Sequence, residues 1–467
     1  MSNISLKRNV IISIFVQIVS IMVSFILNLI VPKFIPELQY SYWQTYMLYV
    51  GYVGILHFGL LDGLVLRYSQ FDYDQLDKSR FRSQFQILLT INSILSLTSI
   101  LVSIFFFGGS YKQIFVFVAF GIVTKNVFTY TSYSFQITNR ISKYAIMIIS
   151  QKLFYGVFTV LLLLFRVKLF YLYCIADLCG DVFGITVGFF FNKELYFGKT
   201  IPFRDALKEF KTNISSGILL LIANWSSMLL IGSAKMIVQW HWDELTFGKV
   251  SFAFSVSSLF LTFVTAISVV LFPALKRMDK DRLPQMYLSI RNTISPILFF
   301  AMLFYFPGYA LLDKWLPKYH NSVVYLGILL PIIIYTSKVS LLTNNYLKAY
   351  REEKKMFLIN VIFVLIAFIV FGVSAYIIDN LTILLIAIVI VIMLRSIVSE
   401  ILVMKIISIK MYNDFIIEAI MTILFIMCAK YLSLLTGFIV YSALMLLYSF
   451  LYRKSIKNCI SKLGIRR

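Results

Sequence analysis

Fourteen stretches of about twenty mostly apolar residues recur along this chain, and no other feature limits its folding so strongly. Hydrocarbon offers a peptide group no hydrogen-bond partner, so a stretch of this length that enters a bilayer must cross it as a helix. The stretches are 9–31, 42–61, 83–107, 111–136, 144–164, 169–191, 213–236, 250–272, 292–312, 323–342, 356–378, 380–403, 413–432 and 434–452. The last two share one apolar tract broken near Lys430 and Gly437. The first follows Lys7 and Arg8, as a signal peptide would. It is too long for a signal core and has no small-residue cleavage site, so it counts as a span. With 60% hydrophobic and only 14% charged residues, the chain carries more apolar surface than a soluble fold could bury. That excludes a soluble enzyme, a secreted disulfide scaffold and a disordered chain. The sequence predicts an all-α polytopic membrane protein with about fourteen transmembrane helices.

The formal charge of +22 is spread between the apolar runs. Segments 1–8, 62–82, 137–143, 192–212, 273–291, 343–355, 404–412 and 453–467 hold most of the 43 basic residues. They alternate with poorly basic connections, the pattern that orients helices in a membrane, so both termini are expected in the cytoplasm. No nucleic-acid partner is implied. Cys174, Cys179, Cys428 and Cys459 fit neither a disulfide framework nor a zinc site, and three histidines argue against a His-rich metal site. No cofactor or metal is expected. There is no phosphate-binding GxxxxGK[ST] loop. The short connections leave no room for a catalytic domain, and Asp72-Tyr73-Asp74 reads as a solvated turn beside Lys78, Arg80 and Arg82.

Polar residues inside the spans carry the functional information. A Lys, Arg or Asp at the centre of a spanning helix costs about 2.5–3.5 kcal/mol on insertion scales, and those that occur face protein or a wet cavity. Lys125, Lys152, Lys338 and Arg395 lie in the fourth, fifth, tenth and twelfth spans. Thr129, Tyr133, Gln136 and Arg140 continue the face of Lys125. These groups together would attract an anion. Snorkelling competes as a reading for Lys152 and Lys338, and an ion pair with Glu400 or Glu418 for Arg395. Asp177 and Asp181 stand one turn apart in the sixth span, where they suit either ion coupling or a static network with Lys125 or Lys152. Asn9, Ser13, Gln17, Ser20, Ser24 and Asn28 share one face of the first span, and Ser251, Ser255, Ser258, Thr262 and Thr265 one face of the eighth. Either stripe suits tight packing or a cleft lining. Tyr42, Tyr46 and Tyr49 suit an interfacial belt or a sugar platform, Trp240 and Trp242 a belt. Pro296 and Pro331 could break their helices.

The spacing divides the chain into an N-terminal six-helix lobe (1–191), a connecting loop (192–212), a second six-helix lobe (213–412), two further helices (413–452) and a basic tail (453–467). Two lobes around a cleft form a common carrier design. The run Leu56-His57-Phe58-Gly59-Leu60-Leu61-Asp62-Gly63, followed by Arg67-Tyr68, resembles the second helix of bacterial polysaccharide flippases. These are the Wzx-type members of the multidrug/oligosaccharidyl-lipid/polysaccharide exporter superfamily, whose fold is shared with multidrug (MATE) exporters. Leu6-Lys7-Arg8-Asn9, the segment Asn344-Asn345-Tyr346-Leu347-Lys348-Ala349-Tyr350-Arg351, and Arg395 with Glu400 are similar.

The resemblance implies two six-helix bundles with a cationic cavity in the cytoplasmic membrane. It implies ion-coupled alternating access that moves undecaprenyl-diphosphate-linked oligosaccharide to the outer leaflet, for O-antigen, capsule or other surface polysaccharide. Partners would be that lipid-linked sugar, membrane lipid, a polysaccharide polymerase and a chain-length regulator. Lys125, Arg140 and Arg395, with Lys152 and Lys338, would meet diphosphate or acidic sugar. Gln17, Asn28 and Asn224 would meet sugar hydroxyls. The rival readings are a lipid II flippase and a multidrug exporter. The latter would want buried carboxylates more than buried cations.

Overall fold

In the computed structural model, residues 3–276, 280–409 and 411–451 are described, without the side chains of 3–11, 13, 262–274, 276, 280 and 451. The expectations for Asn9, Ser13, Thr262, Thr265, Cys459 and the tail 453–467 lie outside this description. Among the described residues the chain is entirely helical and turn-linked, and it forms two compact units, Met1–Met228 and Leu229–Arg467. Among the described residues, ten helices are long and apolar enough to cross a membrane, or twelve if two bent pairs each count as one. The chain is thus a multi-pass membrane protein. Of the other two expected spans, one falls on Glu244–Lys276, part of whose side chains are undescribed, and the other on the shorter apolar helix Leu434–Phe450.

The first unit contains α1 (Asn3–Phe25), α2 (Val31–Phe34), α3 (Glu37–Val50), α4 (Leu60–Tyr68), α5 (Lys78–Phe106), α6 (Gly109–Ile137), α7 (Ile141–Leu164) and α8 (Phe170–Phe191). It also takes in the start of α9 (Phe203–His241). A π-turn over Ile26–Ile30 separates α1 from α2. α3 and α4 belong to one bent span, turned by 53°. The bend sits where Phe58 and Gly59 adopt left-handed backbone angles (φ 53° and 86°), a conformation that ends a right-handed helix.

The motif around this bend is a structural joint. His57 Nδ1 accepts a bond from the Gly59 amide at 3.2 Å, and His57 Nε2 lies 3.9 Å from the buried Asp62. Beyond it α4 crosses α9 backbone to backbone. A Cβ on Gly63 would lie 1.9 Å from the Asn213 carbonyl oxygen, and one on Gly217 would lie 2.1 Å from that of Gly59. Only glycine permits that approach. Arg67 and Tyr68 then hold Glu209 at 2.6 Å each, and Arg67 also holds Asn213. With 39 residues, α9 is about 58 Å long, nearly twice the hydrocarbon thickness, so its charged first turns extend past the apolar layer.

The second unit contains the rest of α9, then α10 (Glu244–Lys276), α11 (Leu283–Ala301), α12 (Tyr305–Trp315), α13 (His320–Leu329), α14 (Ile332–Lys338), α15 (Asn344–Ala349), α16 (Glu353–Gly372), α17 (Leu381–Ile407), α18 (Tyr412–Tyr431) and α19 (Leu434–Leu451). Pro331 marks the break between α13 and α14, within a pair bent by 46°. Proline lacks the N–H that would continue the ladder. Pro296, by contrast, is carried inside α11. α18 packs on α13 and α19, which makes the late helices part of this unit.

Candidate functional site

Among the described residues, a cluster of charged side chains lies within the spans of each unit. In the first, the four-residue spacing puts Asp177 and Asp181 on one face of α8. α3, α6 and α7 pack against that helix. Gly184 of α8 lets them come close, since a Cβ there would lie 2.7 Å from the Phe128 ring and 2.9 Å from Gln151. Lys125 of α6 reaches both carboxylates, with its Nζ 2.8 Å from Asp177 and 2.7 Å from Asp181. Tyr46 of α3 donates to Asp177 at 2.8 Å, and Gln151 of α7 donates to Asp181 Oδ1 at 3.2 Å. The two carboxylates are 5% and 2% exposed, whereas the Lys125 side chain is 25% exposed. Lys152 of α7 is half-buried within range of all three charges. It makes no hydrogen bond or ion pair with any described residue. The group is therefore two ammonium and two carboxylate groups, neutral in sum, with one ammonium unengaged among the described residues.

The second cluster is drier. Arg291 of α11 donates from Nε to Glu400 of α17 at 2.8 Å, from Nη1 to Asp414 at 2.8 Å and from Nη2 to Glu418 at 3.0 Å. The latter two residues belong to α18. Lys338, at the end of α14, bridges Glu400 and Glu418 and is itself fully buried. Ser295 adds a bond to Glu418 at 3.0 Å. This arrangement ties four helices together and leaves its ammonium no exposed face. Arg395 engages Asn360 of α16, donating from Nη2 at 2.8 Å and Nε at 3.1 Å, while the carboxylates of Glu400 and Glu418 are held by Arg291 and Lys338.

The remaining expected residues are dispersed. Arg140 precedes α7 at the end of the first unit that carries the 62–82 and 192–202 connections. There it binds Asn192 and the Phe191 carbonyl and lies over the Tyr73 ring at 4.2 Å. Fifteen residues separate it from Lys125, about 20 Å by helical rise. Gln17 and Asn28 are half-buried on the first span and make no hydrogen bond to the Lys125 cluster. Asn224 is exposed on α9. Asp72 caps the turn Tyr73–Gln75. Tyr46 belongs neither to a belt nor to an exposed platform, because it is fully buried against Asp177.

Two central groups escape a reading of apolar runs. Arg291 stands at the edge of its run and looks like a loop cation. Its signal is the four-residue series Tyr287, Arg291, Ser295, which places all three on one face of α11. Gln151 has no sequence signal beyond its place beside Lys152.

No protein-family model matches the chain. No curated relative matches it either. Solved structures do match in fold. An inward-facing multidrug-resistance MATE transporter of the MOP superfamily superposes with a TM-score of 0.65 at 13% identity, over 85% of this chain and 98% of that one. The lipid II flippase MurJ, in an inward closed conformation, gives 0.66 at 12% identity, over 96% of this chain and 99% of its own. A MOP-superfamily transporter from Pyrococcus furiosus gives 0.51 at 14% identity, over 87% and 95%. The all-α architecture of this chain is thus the fold of the MATE and MurJ transporters.

Proposed function

We propose that this protein is a flippase for an anionic lipid-linked oligosaccharide, in which the lipid diphosphate is received by Lys152 and Lys125 of the first unit. The observation that carries the reading is the Lys152 ammonium, half-buried in a spanning helix beside carboxylates already committed to Lys125. A cation placed so expensively suits an anion supplied from outside the protein. Carrying such a lipid unaided through hydrocarbon is prohibitive, and a protein that shelters the diphosphate and leaves the prenyl tail in lipid removes that cost. The fold agrees, and the lipid II flippase superposes on more of this chain than the MATE transporter does. Alternating access is the mechanism that the motif resemblance suggests for this movement. Undecaprenyl diphosphate is the carrier lipid that the motif resemblance suggests. A polymerase in the outer leaflet would consume the product.

Proteoliposomes containing fluorescent polyprenyl-diphosphate oligosaccharide test this. The protein should move label between leaflets, and Lys152→Met should reduce the rate at least tenfold. Efflux of a lipophilic cationic dye with no movement of the glycolipid would instead establish the multidrug reading.

A further inference from the structure

We infer that an anionic ligand and Asp181 compete for the Lys125 ammonium, and that a proton takes the lysine's place on Asp181 Oδ2, so that anion and proton bind together. This rests on the anion-receiving role proposed above for Lys125 and Lys152. The first argument is access. The carboxylates are almost wholly enclosed, and Lys125 is the more exposed member of the trio, so an entering anion meets the ammonium first. Lys152 lies close enough to Lys125 for the two cations to repel, and a diphosphate bridging them relieves that repulsion.

The second argument is what Lys125 leaves behind. Asp177 retains the Tyr46 hydroxyl at 2.8 Å. Asp181 retains Gln151, but only on Oδ1. Among the described residues its Oδ2 is contacted by the Lys125 ammonium, through the 2.7 Å ion pair, and by no other hydrogen-bonding group. Withdrawing the ammonium would strand two carboxylates one turn apart in a dry interior, at a cost of several kcal/mol for each unpaired ion. The titratable and charged groups facing the pair are Tyr46 on α3, Lys125 on α6, Lys152 and Tyr155 on α7, and Cys174 on α8 itself. The Tyr46 hydroxyl already donates its hydrogen bond to Asp177. Both lysines are taken by the anion. A proton delivered by hydronium, whose O–H bond breaks to leave water as the Oδ2–H bond forms, neutralises Asp181 and leaves Asp177 charged beside the Tyr46 hydroxyl. In the empty protein Lys125 plays that part, so the unloaded cluster needs no proton.

Calorimetric titration of the purified full-length protein with inorganic pyrophosphate, repeated in buffers of different ionisation enthalpy, counts the protons bound. Pyrophosphate's own protonation is common to wild type and Asp181→Asn, so the difference between them is the readout. The expected difference approaches one proton per bound pyrophosphate. The wild-type affinity should gain up to tenfold more than the variant's for each unit fall in pH. Equal proton counts with pyrophosphate still bound would overturn the exchange and leave the anion site standing. Equal counts together with weakened binding when choline replaces sodium would overturn the proton and identify a metal cation in its place. Absence of binding to wild type, or equal binding by Lys125→Met/Lys152→Met, would overturn the anion reading itself. The proton count on wild type needs no variant to fold.

Discussion

Removing the guanidinium of Arg291 should destabilise the second unit more than any other single charge deletion in this protein. Arg291 is 2% exposed and makes three charge-assisted bonds, to Glu400, Asp414 and Glu418. Such bonds contribute about 1.5–3 kcal/mol each, roughly 4–9 kcal/mol before the cost of desolvation is subtracted. Arg291→Met leaves Glu400 and Glu418, at 0% and 2% exposure, sharing the single charge of Lys338, with the Tyr287 and Ser295 hydroxyls as neutral donors. Breaking a buried pair in this way typically costs about 3–5 kcal/mol. Arg291→Lys keeps the charge but not the fork, so it reaches one carboxylate and should recover about half the loss. Replacing Arg291, Lys338, Glu400 and Glu418 together by Met, Met, Gln and Gln removes the stranded charges and should be more stable than Arg291→Met alone. The assay is the thermal unfolding midpoint of purified protein in detergent, with reversible unfolding in mixed micelles for the free energy. A loss under about 1 kcal/mol for Arg291→Met would refute the reasoning, because it would mean that water or rearrangement readily satisfies those carboxylates.

Other outcomes follow from the same geometry. Lys152→Met should leave the unfolding midpoint unchanged or raise it, since an ammonium without a described partner is exchanged for an apolar stem, while glycolipid movement falls; a strong loss of stability would mean that Lys152 is a packing residue. Gly63→Ala and Gly217→Ala should each lower the yield of folded protein severely because of the backbone overlaps at the α4–α9 crossing, whereas Gly308→Ala, with open space at its Cβ, should not. Arg67→Ala should cost about 1–2 kcal/mol through the loss of Glu209 and Asn213, again read as a midpoint shift.

The helical class was legible because the bilayer leaves so few solutions: length and apolarity alone specify a spanning helix. The break at Pro331 was likewise written in a residue that cannot continue the ladder, although Pro296 is carried inside its helix, and the bend at Phe58–Gly59 lies within a stretch that reads as one continuous span. The pairing of charges was not. Arg395 and Glu400 look like natural partners on one helix, yet five residues apart they point to different sides of it. Arg395 turns to Asn360, while Glu400 meets Arg291 from a distant part of the chain. Which cation meets which carboxylate depends on helix rotation and crossing, and a single sequence does not encode these locally. For the same reason Tyr46, one of three similar tyrosines on α3, could not be singled out as the donor to Asp177. Lys125 and the two aspartates, in contrast, were legible as a group, since charges this deep in apolar runs have few neighbours to choose from.

The central claim is that the anionic head of the ligand sits on the first unit's paired lysines. A structure determined with a polyprenyl diphosphate bound tests it most directly. Phosphate density within hydrogen-bonding distance of Lys152 Nζ, with Lys125 moved off Asp181, is the expected result. Phosphate held by other residues, with the contacts of Lys125 to Asp177 and Asp181 intact, would contradict it.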